Sequence, residues 1–373
     1  MRTKQTGPKR PKHDVNDTPI NSPPVPDVKS PAQPHELSDK ERAKLRDFLD
    51  KDGPSPPFSI TTIPLNSPKK RKRSTTNLHT QSDLFEDRLS VQYEIKPLNN
   101  WESLRRYKKF TVGNESIAVG EHILVKHDVS EDQKIDIAAQ WKAKVLEVRA
   151  LDPEHVYIRV AWLNRPEDLD SGRKDYHGLN ELIPTNHMDI IDAMTVNGRL
   201  ELYHWAEEDD ESAMPGIGEH FWRQTYDFAG TKTFSELRHI CIDDRPQNPD
   251  KMILQCPSET CGKWMHLKCI AEAAVGQTGE AQQKQSSNAK RKSTSTKKGA
   301  RAKTPELTPG STAQAKALNQ ATGVTAEVFV KGLPADEKDG GPPEGSTRVV
   351  VTREDGEDQV RDVKCLFCGT AIE

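Results

Sequence analysis

Val156-Tyr157-Ile158-Arg159-Val160-Ala161-Trp162 alternates without a break, and its reading decides the fold. A two-residue period sets 156, 158, 160 and 162 on one face of a β-strand. Working outward, Lys142-Ala143-Lys144-Val145-Leu146-Glu147-Val148 is a second run of this kind, and Ser116 to Val125 is a third. Leu200-Glu201-Leu202-Tyr203-His204-Trp205 is a fourth. Short strands at this spacing, separated by turn residues, predict a compact, mostly β domain over residues 96–230, closing near Thr225-Tyr226-Asp227-Phe228.

The composition changes on either side. Residues 1–91 read as a disordered, basic, Pro-rich tail, since residues 1–90 hold 13 of the 26 prolines. Within it Leu37 to Asp50 predicts a short helix, with Ser38 as cap and Glu41 at the capping-box position. Pro68-Lys69-Lys70-Arg71-Lys72-Arg73 reads as a nuclear import signal, against the plainer reading of a solvated charge run. Residues 276–322 are Gln, Ser, Thr, Ala and Lys with almost no aromatics, and predict a disordered basic insert. Its Lys290-Arg291-Lys292 and Lys297-Lys298 are a second import signal, a phosphate-contacting patch or a plain linker. Beyond it, within residues 323–373, Ala326–Val330 and Thr347–Thr352 predict a β-hairpin looped by Gly340-Gly341-Pro342-Pro343.

Charge is segregated. Residues 1–90 carry 17 Lys and Arg against 12 Asp and Glu, residues 276–322 carry 9 against 2, and the remainder carries 28 against 43. A primary DNA-binding surface needs the reverse, so nucleic acid is expected to meet only the basic disordered segments. The acidic folded part suits a basic partner such as a histone tail, though solubility alone also accounts for it. No apolar run approaches the ~18 residues of a membrane span. The start, Met1-Arg2-Thr3-Lys4-Gln5-Thr6, has no apolar signal region. Secreted and membrane classes are therefore set aside.

All six cysteines lie beyond residue 240. With two histidines they give an ordered series: His239, Cys241, Cys256, Cys261, His266, Cys269, Cys365 and Cys368. Thiolate and imidazole are good zinc donors, and eight of them suffice for two tetrahedral zinc ions. His239 is the least secure, because a histidine beside Cys241 can be incidental. The gap from 269 to 365 is one that metal would close, which links zinc to folding.

Asn248-Pro249-Asp250-Lys251-Met252-Ile253-Leu254-Gln255-Cys256 followed by Trp264-Met265-His266-Leu267-Lys268-Cys269 resembles a PHD finger, first part over 236–275. The resemblance implies cross-bracing: His239, Cys241, His266 and Cys269 on one zinc, and Cys256, Cys261, Cys365 and Cys368 on the other. Trp264 falls at the usual cage position, while Gln247 and Ile253 stand where aromatic or Met residues are common. A structural aromatic beside the zinc is the competing reading of Trp264, since one ring makes a poor cage.

Val119–Val125, Trp141–Val145, Val160-Ala161-Trp162-Leu163-Asn164-Arg165-Pro166-Glu167-Asp168, Tyr176-His177-Gly178-Leu179-Asn180-Glu181-Leu182 and Asn186–Asp189 together resemble a BAH domain. The BAH then PHD order is similar to plant and fungal chromatin readers of Polycomb-type trimethyl-lysine on histone H3. That resemblance implies an aromatic cage, because trimethylammonium offers no hydrogen bond and is held by ring faces. Trp141 and Trp162 match two cage positions. Asn164 stands at the third, leaving Tyr203 or Trp205 to complete the cage. His187 and Asp189 match positions near the peptide groove. Core packing is the rival reading of Trp162, which continues an apolar face.

Arg2-Thr3-Lys4-Gln5-Thr6 also matches the start of the histone H3 tail, as a mimic or by coincidence. The expected function is a non-enzymatic, nuclear, repressive reader of the H3 tail or nucleosome, with corepressor proteins as further partners and no membrane. The alternatives are a methylation-independent nucleosome or protein scaffold and a zinc-finger ubiquitin ligase. Placing the histidine fifth after two cysteine pairs counts against the ligase.

Overall fold

A computed structural model describes residues 37–51, 56–65, 77–86, 88–126, 139–209, 211–286, 315–331, 347–353 and 356–373. The first element among the described residues is α1 (Asp39–Leu49). Glu41 N–H donates to Ser38 Oγ at 3.4 Å and Ser38 N–H donates to Glu41 Oε2 at 3.0 Å, which is the capping box expected from sequence. Three strands follow: β1 (Ser59–Ile63), β2 (His79–Gln81) and β3 (Val91–Lys96). They form an antiparallel sheet with β3 in the middle.

The central sheet is built from α2 (Leu98–Ser103) onward. Its strands are β4 (Arg105–Tyr107), the separate hairpin β5 (Lys109–Val112) and β6 (Glu115–Ala118), β7 (His122–Val125), β8 (Trp141–Ala150), β9 (Val156–Asn164), β10 (Ile183–Asp192) and β11 (Val196–Leu200). They pair in the order β10-β9-β8-β7-β11, with β4 also against β8. Ile158, Val160 and Trp162 pack on one face with Ile123, Val145 and Val196. Tyr157, Ala161 and Leu163 face the other way and are equally buried.

What covers that second face corrects the sequence reading. Leu45 and Leu49 of α1, with Phe58, Leu84, Phe85, Val91 and Tyr93, close over Tyr157, Ala161 and Leu163. Phe58 meets Trp101 and Tyr157 edge-on at 5.3 and 5.2 Å between ring centroids. Arg159 is buried between these layers, its Nε 3.3 Å from Glu147 Oε2 and its guanidinium 4.6 Å from the Tyr93 ring centroid. The expectation of disorder over 1–91 therefore fails for residues 37–51, 56–65 and 77–86, and the β domain starts well before residue 96. Its apolar anchors stand singly among Pro and charged residues, so average composition hid them. Residues 1–36 and the basic run 68–73 lie outside the described residues.

The C-terminal part continues through β12 (Tyr203–His204) and β13 (Phe221–Trp222), a parallel pair. Next come two small hairpins, β14 (His239–Ile240) with β15 (Arg245–Pro246), and β16 (Ile253–Gln255) with β17 (Trp264–His266). Then α3 (Leu267–Ser286) leads toward β18 (Ala315–Asn319), β19 (Val324–Phe329), β20 (Arg348–Thr352), β21 (Asp358–Lys364) and β22 (Ala371–Ile372), a five-stranded antiparallel sheet in sequence order. The expected hairpin is its β19–β20 pair, Ala326 opposite Val351. Leu267, Ile270, Ala271, Ala274 and Val275, at helical spacing ahead of the expected insert, pack on Val324, Ala326 and Val328. α3 continues to Ser286 and β18 starts at Ala315, so both ends of the 276–322 segment, expected to be disordered, are regular structure. Residues 287–314, with both basic clusters, and the Gly-Pro loop lie outside the described residues. Among the described residues no helix is long and apolar enough to cross a membrane.

Candidate functional site

Trp141 opens β8 and Trp162 nears the end of β9, where Ala143 pairs with Trp162. The two indoles meet edge to face at 5.3 Å. Their environments differ. Trp162 is buried among the valines and isoleucines of the sheet, whereas Trp141 is half exposed. Both line a pocket of about 580 Å³, with Lys142, Leu163, Asn164, Arg165, Asp168, His187 and Phe228.

Each further wall has a local cause. The pairing of β10 with β9 shifts between Pro184 and Met188, and this irregularity frees His187 from the ladder. Its ring stacks on Phe228 at 4.4 Å and 17°. Phe228 is held by the turn that follows it, where Asp227 accepts from Gly230 N–H at 2.9 Å, Thr231 N–H at 2.8 Å and Asn186 Nδ2 at 2.8 Å. Lys232 Nζ lies 3.4 Å from the Phe228 ring centroid. Asn164 ends β9, and its Oδ1 is enclosed without a hydrogen-bond partner.

The charges are ordered too. Arg165 grips Asp168 with both ends of its guanidinium, at 2.8 and 2.9 Å, and this hydrogen bonding holds the Asp168 carboxyl below its usual range. Burial keeps His187 neutral by lowering its pKa, with Asp189 opposing and Lys232 assisting. Asp189 itself does not line the pocket: its Oδ1 accepts from Ile190 N–H at 2.8 Å. Tyr203 and Trp205, the rings looked to for a third wall, lie elsewhere. Phe228 is the third ring, and it escaped sequence reasoning because it sits past the last strand of the motif.

The cysteines gather as two groups. Cys256, Cys261, Cys365 and Cys368 bring their sulfurs within 4.8 Å of one another. Cys256 Sγ is 3.6 Å from Cys368 Sγ, and Cys261 Sγ is 3.8 Å from Cys365 Sγ. Two tight turns present them: Cys261 N–H donates to Ser258 O, and Gly369 N–H to Cys365 O, both at 2.9 Å. The second group is Cys241, Asp243, His266 and Cys269. This corrects the placing of His239, which lies outside the group, half exposed, with Nδ1 3.5 Å from Asp244 Oδ1. The strand ends at Ile240, and Cys241 takes φ of 64°, so the two-residue alternation that would put 239 and 241 on one side is lost.

Trp264, on β17, lines a groove of about 610 Å³ between finger and β domain, with Gln247, Met252 and Ile253 on one side and Trp205, Glu207, Asp209 and Met214 on the other. The junction is bonded directly. Asn248 Nδ2 donates to Asp175 O at 2.8 Å, Asp250 Oδ2 accepts from Leu179 N–H at 2.5 Å, and Arg238 N–H donates to Glu207 Oε1 at 2.6 Å. Gly178 allows the approach: a Cβ there would lie 2.7 Å from Pro249 Cγ and 2.9 Å from Phe221 Cζ.

No known family profile matches the chain. It is 29% identical over 170 residues to the chromatin remodeling protein SHL of Arabidopsis thaliana, covering 45% of this chain and 71% of that protein. It is 30% identical over 131 residues to the chromatin remodeling protein EBS of the same plant, covering 35% of this chain and 55% of that one. Among solved structures it matches the yeast Rsc2 BAH domain with TM-score 0.26 and 17% identity, over 36% of this chain and 55% of that one. The likeness to SHL and EBS, with a β domain followed by two Cys-rich groups, agrees with the resemblance of this chain to BAH–PHD chromatin proteins.

Proposed function

We propose that this chain is a non-enzymatic chromatin reader whose β domain holds a trimethylated lysine of the histone H3 tail, of the Polycomb type, in repression within the nucleus. The observation that carries the reading is the pocket where Trp141, Trp162 and Phe228 converge beside the Asp168 carboxylate. A trimethylammonium cannot donate a hydrogen bond, so ring faces and a nearby anion are what can hold it. Asn164 offers its enclosed Oδ1 to a peptide N–H. The names of SHL and EBS, chromatin remodeling proteins, agree with a chromatin partner.

The sulfur and nitrogen donors suit zinc. One ion would be held by Cys256, Cys261, Cys365 and Cys368, and a second around Cys241, His266 and Cys269. Zinc would supply tetrahedral cross-links and no reaction. The groove beside Trp264, where Asp209 and Asp250 stand with Lys251 and Arg238, would then add a second contact for the tail. Two weak contacts in one chain gain avidity on a nucleosome.

The burial of Trp162 favours a second reading, a scaffold that binds without regard to methylation. Titration of the full chain with unmodified and trimethylated H3 peptides separates the two. Selective binding, weakened roughly 2- to 30-fold in Trp141→Ala and in Phe228→Ala, supports the cage, since loss of one cation–π face is worth about 0.5–2 kcal/mol. Equal binding of methylated and unmodified peptides removes the cage and leaves the scaffold.

A further inference from the structure

We infer that Asp243, and not His239, is the fourth ligand of the first metal centre, so that two cysteines, one histidine and one aspartate hold that ion beside an all-cysteine centre. The inference rests on the reading of the two groups as zinc centres.

Tetrahedral zinc, with Zn–S of ~2.3 Å and Zn–N and Zn–O of ~2.0–2.2 Å, sets neighbouring sulfurs about 3.8 Å apart, sulfur and nitrogen about 3.6 Å, and nitrogen and oxygen about 3.4 Å. In the all-cysteine group the sulfurs stand 3.6 and 3.8 Å apart. In the other group Cys269 Sγ is 3.8 Å from His266 Nδ1, and Asp243 Oδ1 is 3.1 Å from the same nitrogen. The sulfur–sulfur and sulfur–nitrogen separations match tetrahedral edges, the oxygen–nitrogen one is about 0.3 Å shorter than such an edge, and the four ligand atoms of the second group all lie within 4.8 Å of one another.

The rival is a carboxylate that only steadies the imidazole. Such a partner binds the ring nitrogen that faces away from the metal. Here Asp243 and the Cys269 thiol share Nδ1, so the carboxylate is on the metal's side of the ring. The chain path agrees. Cys241 and Asp244 have φ of 64° and 50°, and the turn they make carries Asp243 back toward His266. The same turn leaves His239 outside, against Asp244.

Carboxylate oxygen is an accepted but harder zinc ligand than thiolate. The two centres should therefore differ, and ligand variants can be read one by one. Native mass spectrometry of the purified full chain counts bound zinc, and cobalt substitution reports ligand type through its thiolate charge-transfer and d–d bands. The expected counts are two ions in the unaltered chain, two in His239→Ala with an unchanged cobalt spectrum, and one in Asp243→Ala, or two with altered d–d bands if water fills the place. Asp243→Cys should keep two ions and gain one further thiolate's charge-transfer intensity, which guards against Asp243→Ala acting by misfolding alone. Loss of an ion in His239→Ala, or an Asp243→Ala chain with two ions and an unchanged spectrum, overturns the assignment while leaving the zinc reading intact. An unaltered chain that binds no zinc overturns both.

Discussion

Single residues decide what this chain can hold. Gly178 is where the β domain and the finger approach too closely for any side chain, with Pro249 and Phe221 in the way. Gly178→Ala should destabilise the junction by about 1–3 kcal/mol, as overpacking does elsewhere. Chemical denaturation of the full chain, read at Trp264 and Trp205 fluorescence, checks it, and an unchanged midpoint would show that the junction yields freely. Residue identity also set the limit of sequence reading. Trp141 and Trp162 were legible because tryptophans at strand ends carry a motif. Phe228 was not, because its place depends on a turn built by Asp227 and on stacking with His187. Asp243 was passed over for a related reason: an exposed carboxylate in an acidic loop looks like plain surface charge, and only the folded chain brings its oxygen beside His266 Nδ1.

At the scale of elements, α1 is anchored by a short polar chain. Arg46 reaches Asp152 at 2.9 Å, and His155 bonds Asp152 through Nδ1 at 2.8 Å and Asp50 through Nε2 at 2.9 Å. Burial lowers the His155 pKa, but the hydrogen bonds and charges of Asp152 and Asp50 outweigh it, and the net shift is upward from 6.5. For Asp152 burial acts upward, and bonds from His155 and Arg46 overcome it and bring the carboxyl down to about 2. A raised histidine stabilises fully below its unfolded value and loses this contribution as pH rises through the folded one; a depressed carboxyl does the opposite. The anchor of α1 is therefore firmest between the ordinary values of Asp and His, 3.8 and 6.5. Hydrogen exchange of α1 amides, corrected for intrinsic rate, should show less protection at pH 8.5 than at pH 6. Equal protection would mean that Leu45 and Leu49 alone hold the helix. The helix itself was readable from Ser38 and Glu41, since a capping box is local. That it docks was not, because its partners Asp152 and His155 lie about a hundred residues further along.

For the whole molecule, two cores meet at one junction. The β domain buries a sheet on both faces, while α3 and the five-stranded sheet beyond it form a separate core with Met265 and Cys365 inside. Chelation of the full chain should therefore loosen β16 to β22 and spare β7 to β11. Limited proteolysis with and without chelator reads this, and cleavage within β8 or β9 on metal removal would contradict it. At this scale sequence reading did best with order and worst with extent. A β domain followed by a metal-ligand series was visible in alternation and spacing. The second cover of the sheet and the packing of α3 were not, because both use sparse apolar residues inside polar composition.

The late position of Cys365 and Cys368 has a consequence for how the chain is made. Cys256 must wait for Cys368, 112 residues downstream, before its group of four is complete. A ribosome adding ~5–20 residues per second leaves that half-built group open for roughly 6–20 s. During those seconds two thiols and whatever metal they catch are exposed to the cell, while the β domain, already outside the exit tunnel, has had time to fold. The insert thus sets a delay between the birth of the first module and the locking of the second.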